Sequence, residues 1–211
     1  MKEGGPSNAQ WLRWTKRLQA IAQDGLTYSN DDYDLGRYEQ LSELAAEMLA
    51  AHSTGTLEEA RDLLVLETGP ATPKVDVRAA VFENDRILLV KEPDEAGWAV
   101  PGGWADVGES PSEAAARETL EESGYSVRPV RLLAPYDRER HGHPSMAYHV
   151  YTLVYLCELL AEERLTDVDT HGMGFFGEQE IPDLSVTRIT RAQISRFFEQ
   201  HRDPSIPTDF D

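Results

Sequence analysis

The sequence predicts an α+β protein, in which a small all-helical region at residues 1–70 precedes a region of strands and helices at residues 71–203. Two observations support this division. Apolar residues recur at helical spacing as far as Gly69, and from Val75 onwards they follow the shorter period of β-strands. Residues 204–211 carry neither pattern, and we expect them to form a loose tail.

Three amphipathic helices are predicted in the N-terminal region. The first is predicted to end at Gly25, and the second lies within YDLGRYEQLSELAAEMLAAH. The third opens with Thr56 and Glu59, which have the spacing of a capping box. Helices this short are marginally stable alone, so we expect them to pack against another surface.

The second region begins with two strands, VDVRAAVF and RILLV, around a turn at Asn84-Asp85. The segments SVRPVRLL and Tyr148–Leu160 predict further strands, and TRAQISRFFEQH predicts a closing helix. The run AYHVYTLVYLCELL is interrupted by His149 and Glu158 and is rich in β-branched and aromatic residues, which favours a buried strand over a membrane span.

Composition limits the class of protein. The formal net charge of −18 disfavours a general nucleic-acid binder, because an acidic surface repels phosphate backbones. A small anionic substrate is still compatible with this charge if bound cations screen the site. The single cysteine, Cys157, cannot form an internal disulfide and is expected to be a buried thiol. Residues 1–10 lack the apolar core of a signal peptide, so we expect a cytoplasmic protein.

A helix rich in glutamate is predicted between Pro111 and Ser123. Ser110 and Glu113 have capping-box spacing around a proline at the first helical position, and Gly124 is placed to end the helix. Three of its carboxylates fall within an arc of about 100°, namely those of Glu118, Glu121 and Glu122. They are hard oxygen ligands of the type that Mg²⁺ or Mn²⁺ prefers, although such a helix face can also be merely solvated.

The loop before this helix favours the metal-binding interpretation. Gly102 and Gly103 allow the backbone to approach a ligand closely. Glu109 can reach back towards the helical carboxylates, and Arg117 can orient a glutamate through its planar set of donors.

Together these residues form the pattern Gly-x5-Glu-x7-Arg-Glu-x2-Glu-Glu-x-Gly from Gly103 to Gly124. The pattern resembles the signature of the Nudix hydrolases, which cleave nucleoside diphosphates linked to another moiety. Thr119 departs from the aliphatic residue that is usual in the family, whereas Tyr125 suits the last apolar position. The chain as a whole is similar to a bacterial Nudix branch with a helical N-terminal extension. Members of this branch are similar to CDP-choline pyrophosphatases and are often labelled ADP-ribose pyrophosphatases.

The resemblance implies a fold, a metal site and an assembly. The implied fold is a mixed β-sheet between helices, and the helical extension would pack across a homodimer. The implied ligands of Mg²⁺ or Mn²⁺ are the side chains of Glu118, Glu121 and Glu122 and the carbonyl of Gly103. Glu109 would assist, and any carboxylate of the cluster could be the general base.

Substrate contacts are predicted at five basic residues: Arg78, Lys91, Arg138, His141 and His143. The first two lie on strands that lead to the glycine loop, where a cation could meet a phosphate. The other three lie in the polar segment YDRERHGHP, which could contact substrate, bind zinc through its two histidines, or be an ordinary exposed loop.

Other acidic residues have weaker claims to a catalytic role. Five acids follow the glutamate helix and are expected to be ordinary solvated side chains: Glu158, Glu162, Glu163, Glu178 and Glu180. Tyr28 and three nearby acids could face a nucleobase or a choline cation. A turn between two helices is the better explanation for this segment, whose acids are Asp31, Asp32 and Asp34.

The sequence therefore favours an enzyme that hydrolyses a nucleoside diphosphate derivative. CDP-choline is the leading substrate, and ADP-ribose and nucleotide sugars follow. An enzyme acting on RNA ends is disfavoured by the negative charge, and steep salt dependence of binding would identify it. A nucleotide-sensing module without catalysis is the alternative from another class. Against it stand the complete set of carboxylates and the lack of a basic recognition helix after the domain.

Overall fold

The computed structural model describes residues 7–65, 67–91, 97–162 and 171–211. The chain forms two compact units, of which the first comprises the residues up to Pro73 together with Ser145–His149. The second comprises Lys74–Pro144 and Val150–Asp211. No helix within the described ranges is long and apolar enough to cross a membrane.

The described residues of the first unit form three helices, as predicted. They are α1, Asn8–Tyr28; α2, Asp32–Ala51; and α3, Leu57–Val65. The capping box at α3 is present, because Glu59 N donates to Thr56 Oγ1 (3.2 Å) and Thr56 N donates to Glu59 Oε2 (2.7 Å). The helix α1 does not end at Gly25. This glycine instead makes room for the ring of Tyr38, since a Cβ atom at position 25 would lie 2.2 Å from Tyr38 Cδ1.

The acidic turn between the first two helices has a structural role. Asp31 caps α2, where its Oδ1 atom accepts from the N–H groups of Tyr33 and Asp34, each at 3.1 Å. Asp32 and Asp34 lie in the first turn of α2, where negative charge interacts favourably with the helix dipole. The interpretation of this segment as a turn between helices is therefore confirmed.

The second unit is built on a five-stranded mixed sheet. Its strands are β1, Lys74–Glu83; β2, Arg86–Lys91; β3, Tyr125–Asp137; β4, Val150–Glu162; and β5, Gly172–Phe176. Their order across the sheet is β3-β4-β1-β2-β5. The pair β1–β4 is parallel and the other pairs are antiparallel. The strand β5 is not predicted from the sequence, where GMGFF is short and contains two glycines.

Helices cover both faces of this sheet. The helix α4 (Pro111–Ser123) packs Ala114 and Ala115 against Val77 on one face. On the opposite face, α5 (Arg191–Arg202) packs Phe197 and Phe198 into the largest hydrophobic cluster. The α+β fold predicted from the sequence, with a mixed sheet between helices, is therefore confirmed. Cys157 is buried, which raises the pKa of its thiol to about 12.

The prediction of a loose C-terminal tail is wrong. Asp209 N donates to the carbonyl of Leu133 on β3 (2.8 Å), and Thr208 Oγ1 donates to the carbonyl of Leu132 (2.8 Å). Tyr136 also donates its hydroxyl proton to Asp209 at 2.8 Å. These partners are distant in sequence, so the segment looks irregular when it is read locally.

Candidate active site

The glycine loop is fixed against β1 by backbone hydrogen bonds. Val77 N donates to the Gly103 carbonyl (2.8 Å), and Ala105 N donates to the Val75 carbonyl (3.1 Å). The segment therefore acts as a short extra strand beside β1, although nothing in its sequence resembles a strand. This pairing holds Gly102 and Gly103 next to the helix α4.

The helix α4 has the bounds that the sequence predicts. Ser110 caps it through a complete capping box with Glu113, and Gly124 ends it in the left-handed conformation (φ 74°). One of its glutamates, Glu122, lies on the buried side of the helix together with Thr119. Thr119, the departure from the family signature, is buried, and its hydroxyl donates to the Ala115 carbonyl (2.7 Å).

Glu122 connects the helix to the glycine loop. Glu122 is only 7% exposed, and its Oε2 atom accepts a hydrogen bond from Gly102 N at 2.9 Å. Gly102 has φ of 143° and lies so close to β1 that a Cβ atom there would be 2.0 Å from the Val77 carbonyl oxygen. A glycine is therefore required at this position, and the position of the loop depends on the Glu122 carboxylate.

Arg117 joins the other three carboxylates of the motif. Its Nη2 atom donates to Glu109 (2.7 Å), and its Nη1 atom donates to both Glu118 (2.9 Å) and Glu121 (3.0 Å). The hydrogen bond from Arg117, together with one from Asp106 N, lowers the pKa of Glu109 to about 2. Burial raises the pKa of Glu118, against the opposing effect of Arg117. Arg117 thus donates to three glutamates, whereas the sequence predicts that it orients one.

The donor chemistry of this site fits a hard divalent cation. Both carboxylate oxygens of Glu118 lie 2.9 Å from the point where a Cβ atom of residue 103 would be, so Glu118 packs directly against the Gly103 backbone. The exposed part of the site is completed by Glu121, whose side chain is 48% exposed. Within the described ranges, no three His, Cys, Asp or Glu side chains already converge as a metal cage. Arg117 instead pairs with Glu109, Glu118 and Glu121, and Glu122 accepts from Gly102 N.

Arg78 supports the loop from the face of the sheet that α5 covers. It is buried, and its guanidinium donates to the Gly102 carbonyl (2.7 Å) and to both oxygens of Asp76 (3.1 and 3.2 Å). Thr152 Oγ1 also donates to Asp76 (3.2 Å). The sequence identifies Arg78 as a candidate site residue but not Asp76 or Thr152. Both are polar residues within otherwise apolar strands, and this is the signal that could have identified them.

The polar segment after β3 is held by the protein itself. Arg138 is buried and donates to the carbonyls of Pro144 and Thr187, each at 2.8 Å. His141 pairs with Asp211 (2.8 Å), whereas His143 Nδ1 lies 2.9 Å from the Val186 carbonyl. Burial lowers the pKa of both Arg138 and His143. The two histidines have different partners and, among the described residues, belong to no zinc-like cluster.

The remaining predicted residues lie elsewhere. Lys91 is exposed at the end of β2. Three of the later acids form ion pairs: Glu158 with Arg128, Glu178 with Arg202, and Glu180 with Arg86. Glu162 ends β4, although its side chain, like Glu163 as a whole, lies outside the described residues.

Two family comparisons match consecutive parts of the chain. Residues 72–197 match the NUDIX domain, which is more than half of the chain. This chain belongs to the Nudix hydrolase family. Residues 9–64 match the UDP-X-like, N-terminal oligomerisation domain. The resemblance seen in the sequence is therefore confirmed for both regions, and this Nudix hydrolase is assigned to the pyrophosphohydrolases.

Similar proteins span nearly the whole chain. A Bacillus subtilis (strain 168) protein, YjhB, which is provisionally named an ADP-ribose pyrophosphatase, is 43% identical over 96% of this Nudix hydrolase and 97% of the relative. A solved UDP-X diphosphatase structure is 33% identical, covers 98% of this chain and 100% of its own, and has a TM-score of 0.62. A structure of an ADP-ribose pyrophosphatase from Streptococcus suis 89-1591 is 36% identical over 66% of this chain and 100% of its own, with a TM-score of 0.61.

Proposed function

We propose that this Nudix hydrolase attacks the diphosphate linkage of a nucleoside diphosphate joined to a second group, with ADP-ribose or a UDP-linked compound as substrate. The observation that carries the proposal is the assembly of Glu118, Arg117 and Glu122 around the glycine loop. There a buried carboxylate fixes the loop, and the carboxylate of Glu118 packs directly against Gly103. The names of the relatives support the choice of substrate.

The proposed cofactor is Mg²⁺ or Mn²⁺, held by Glu118, Glu121, Glu122 and the carbonyl of Gly103. Such an ion, when bound, neutralises the diphosphate and lowers the pKa of the attacking water. Arg117 keeps the carboxylates in place, and Glu109 fixes Arg117 through two hydrogen bonds of 2.7 and 3.1 Å. Because an ion at Glu118 and Glu121 compensates the same charges, it competes with Arg117 for these side chains.

Substrate contacts are proposed for the basic residues named from the sequence. Arg78 and Arg138 are buried cations on the same side of the sheet, close enough that each affects the pKa of His143. They provide positive charge near the glycine loop for a phosphate of the substrate. Lys91 and His141 are more peripheral members of this proposed set.

A panel of substrates tests the proposal. The full-length protein is incubated with Mg²⁺ or Mn²⁺ and ADP-ribose, UDP-glucose, CDP-choline, a diadenosine polyphosphate or a short RNA, and the products are separated chromatographically. Metal-dependent release of AMP from ADP-ribose, or of UMP from UDP-glucose, is the expected result. CDP-choline, the leading substrate from the sequence, is retained because its cleavage to CMP would define a different leaving group. Binding of a nucleotide without any cleavage would favour the sensing module instead.

We also propose that the helical unit forms a homodimer through one side of α1. Trp14, Ile21 and Tyr28 are seven residues apart and therefore lie on one side of the helix. All three are exposed, with Ile21 at 52% and Tyr28 at 67%. An exposed apolar stripe of this kind is typical of a protein interface, and the matched family domain is described as an oligomerisation domain.

Replacing Ile21 by lysine is expected to convert the dimer to a monomer, because a lysine charge would be buried in the centre of the interface. Light scattering after size-exclusion chromatography measures the mass. Ala51→Lys is the matched control, since it adds the same charge at an exposed position of α2 and should leave the mass unchanged. A dimer of unaltered mass for Ile21→Lys would contradict the proposed interface.

A further inference from the structure

Trp104 is exposed, whereas Trp98 in the same unit packs on the hydrophobic core. Trp98 packs on the hydrophobic core and contacts Phe176, with 5.0 Å between ring centroids. Trp104 is 46% exposed and belongs to none of the hydrophobic clusters that the described residues form. Exposure of a single aromatic residue needs no explanation by itself, so its position decides what it can do.

The backbone of Trp104 is held rigidly next to the candidate active site. The hydrogen bonds of Gly103 and Ala105 with β1 fix the residues on either side of it. Its own carbonyl accepts from Arg117 Nη2 at 3.5 Å, so the same guanidinium contacts the carboxylates and this residue. The backbone of Trp104 is therefore in place before a ligand stacks on the indole, which lowers the conformational-entropy cost of binding.

The indole of Trp104 projects from the same face of the sheet as Asp76 and Arg78. Trp104 forms an antiparallel bridge with Asp76, and directly opposed residues of such a bridge share a face. Thr152 lies beside Asp76 on the next strand and donates to it. Across three neighbouring strands, Trp104, Asp76 and Thr152 thus form a row, with Arg78 two residues further along β1.

We propose that Trp104 stacks against the nucleobase of the substrate and so supplies affinity for the nucleoside half of the molecule. The inference rests on the proposed function, because it places the diphosphate at Gly103, the neighbouring residue. A nucleobase fits this position better than a cationic head group does. The substrates that the names of the relatives support, ADP-ribose and UDP-linked compounds, carry a nucleobase and no cationic head group. Stacking on indole tolerates any base, so Trp104 contributes affinity and does not select among bases.

Calorimetric titration of the full-length protein with AMP and with ribose 5-phosphate, both in the presence of Mg²⁺, tests the inference. Trp104→Leu should raise the Kd for AMP by roughly 5- to 150-fold, the range of measured base-stacking contributions. The Kd for ribose 5-phosphate, which lacks a base, should remain within about twofold by the same reasoning. Trp104→Phe should lose much less, because it keeps an aromatic face. Equal losses for both ligands, an unchanged Kd for AMP, or no AMP binding by the wild type would overturn the proposal. Tighter binding of phosphocholine than of AMP, with a similar dependence on Trp104, would also overturn it.

Fluorescence provides a second readout in case Trp104→Leu fails to fold. AMP should quench tryptophan emission in the wild type and in Trp11→Phe, a control in the other unit, where Trp11 stacks on His52. The same quenching should be absent in Trp104→Phe, and its persistence there would also overturn the proposal. Hydrolysis of the substrate panel is measured in parallel. Hydrolysis without any effect of Trp104 would remove this inference alone, whereas AMP binding that depends on Trp104 without hydrolysis would remove the proposed function.

Discussion

Replacing Glu122 by glutamine is expected to lower kcat for diphosphate hydrolysis by at least ~100-fold, the low end of an acid–base contribution. Glutamine keeps an oxygen that can accept from Gly102 N, the hydrogen bond that positions the glycine loop at 2.9 Å. The substitution therefore removes the charge with little change in the local packing. Glu121→Gln should cause a loss of the same size, because it removes a second carboxylate of the proposed metal site. Initial rates at saturating Mg²⁺ measure both effects.

Glu158→Gln is the matched control for these two variants. Glu158 is an exposed acid that pairs with Arg128 on the surface of the sheet, so its neutralisation should leave kcat within about twofold of the wild type. Circular dichroism and unfolding midpoints establish that each variant is folded. Wild-type turnover in folded Glu121→Gln or Glu122→Gln would show that the assigned carboxylates do not participate. Glu122→Ala adds a separate comparison, since it removes both the charge and the acceptor for Gly102.

Gly102→Ala is expected to lower the free energy of unfolding by roughly 2–6 kcal/mol, the sum of backbone strain and overpacking. The added Cβ atom would lie 2.0 Å from the Val77 carbonyl oxygen and 2.9 Å from Arg78 Cα, both of which belong to the backbone of a central strand. Neither atom can move without displacing β1. The φ angle of 143° adds strain, because residues with a Cβ atom rarely adopt it. Urea unfolding of the variant beside the wild type measures the loss.

Gly108→Ala separates the effect of backbone strain from the effect of overpacking. Gly108 also has a positive φ angle, 101°, but a Cβ atom there would have no neighbour within 4 Å. Its substitution should therefore cost only the strain, about 1–3 kcal/mol. If Gly102→Ala proves no less stable than Gly108→Ala, the close approach of the loop to β1 is not a source of constraint.

Elements with strong local signals could be predicted from the sequence. The bounds of α4 follow from Ser110, Pro111 and Gly124, since each of these residues has a physical preference for one helix terminus. The hairpin between β1 and β2 follows from Asn84 and Asp85, which adopt the positive φ angles of 51° and 56° that such a turn needs.

Features that depend on distant partners could not be predicted. Gly25 has the local signal of a helix end, but the signal is overridden by the packing of Tyr38, which lies on another helix. The contact of Glu122 with Gly102 joins residues that are 20 positions apart, and no periodicity indicates it. For the same reason the sequence identifies the glutamates of the site but not the division of their roles, in which one carboxylate fixes the loop and three surround Arg117.

The attachment of the C-terminal segment to β3 affects whether another chain can add a strand at this edge of the sheet. The strand β3 is at one edge of the sheet, where unpaired backbone groups would otherwise offer a template for another chain to add a strand. The hydrogen bonds from Thr208 and Asp209 occupy the carbonyls of Leu132 and Leu133 at this edge. Residues 208 and 209 therefore cover this part of the β3 edge, and a protein shortened at Asp203 would leave both carbonyls open to pairing with another chain.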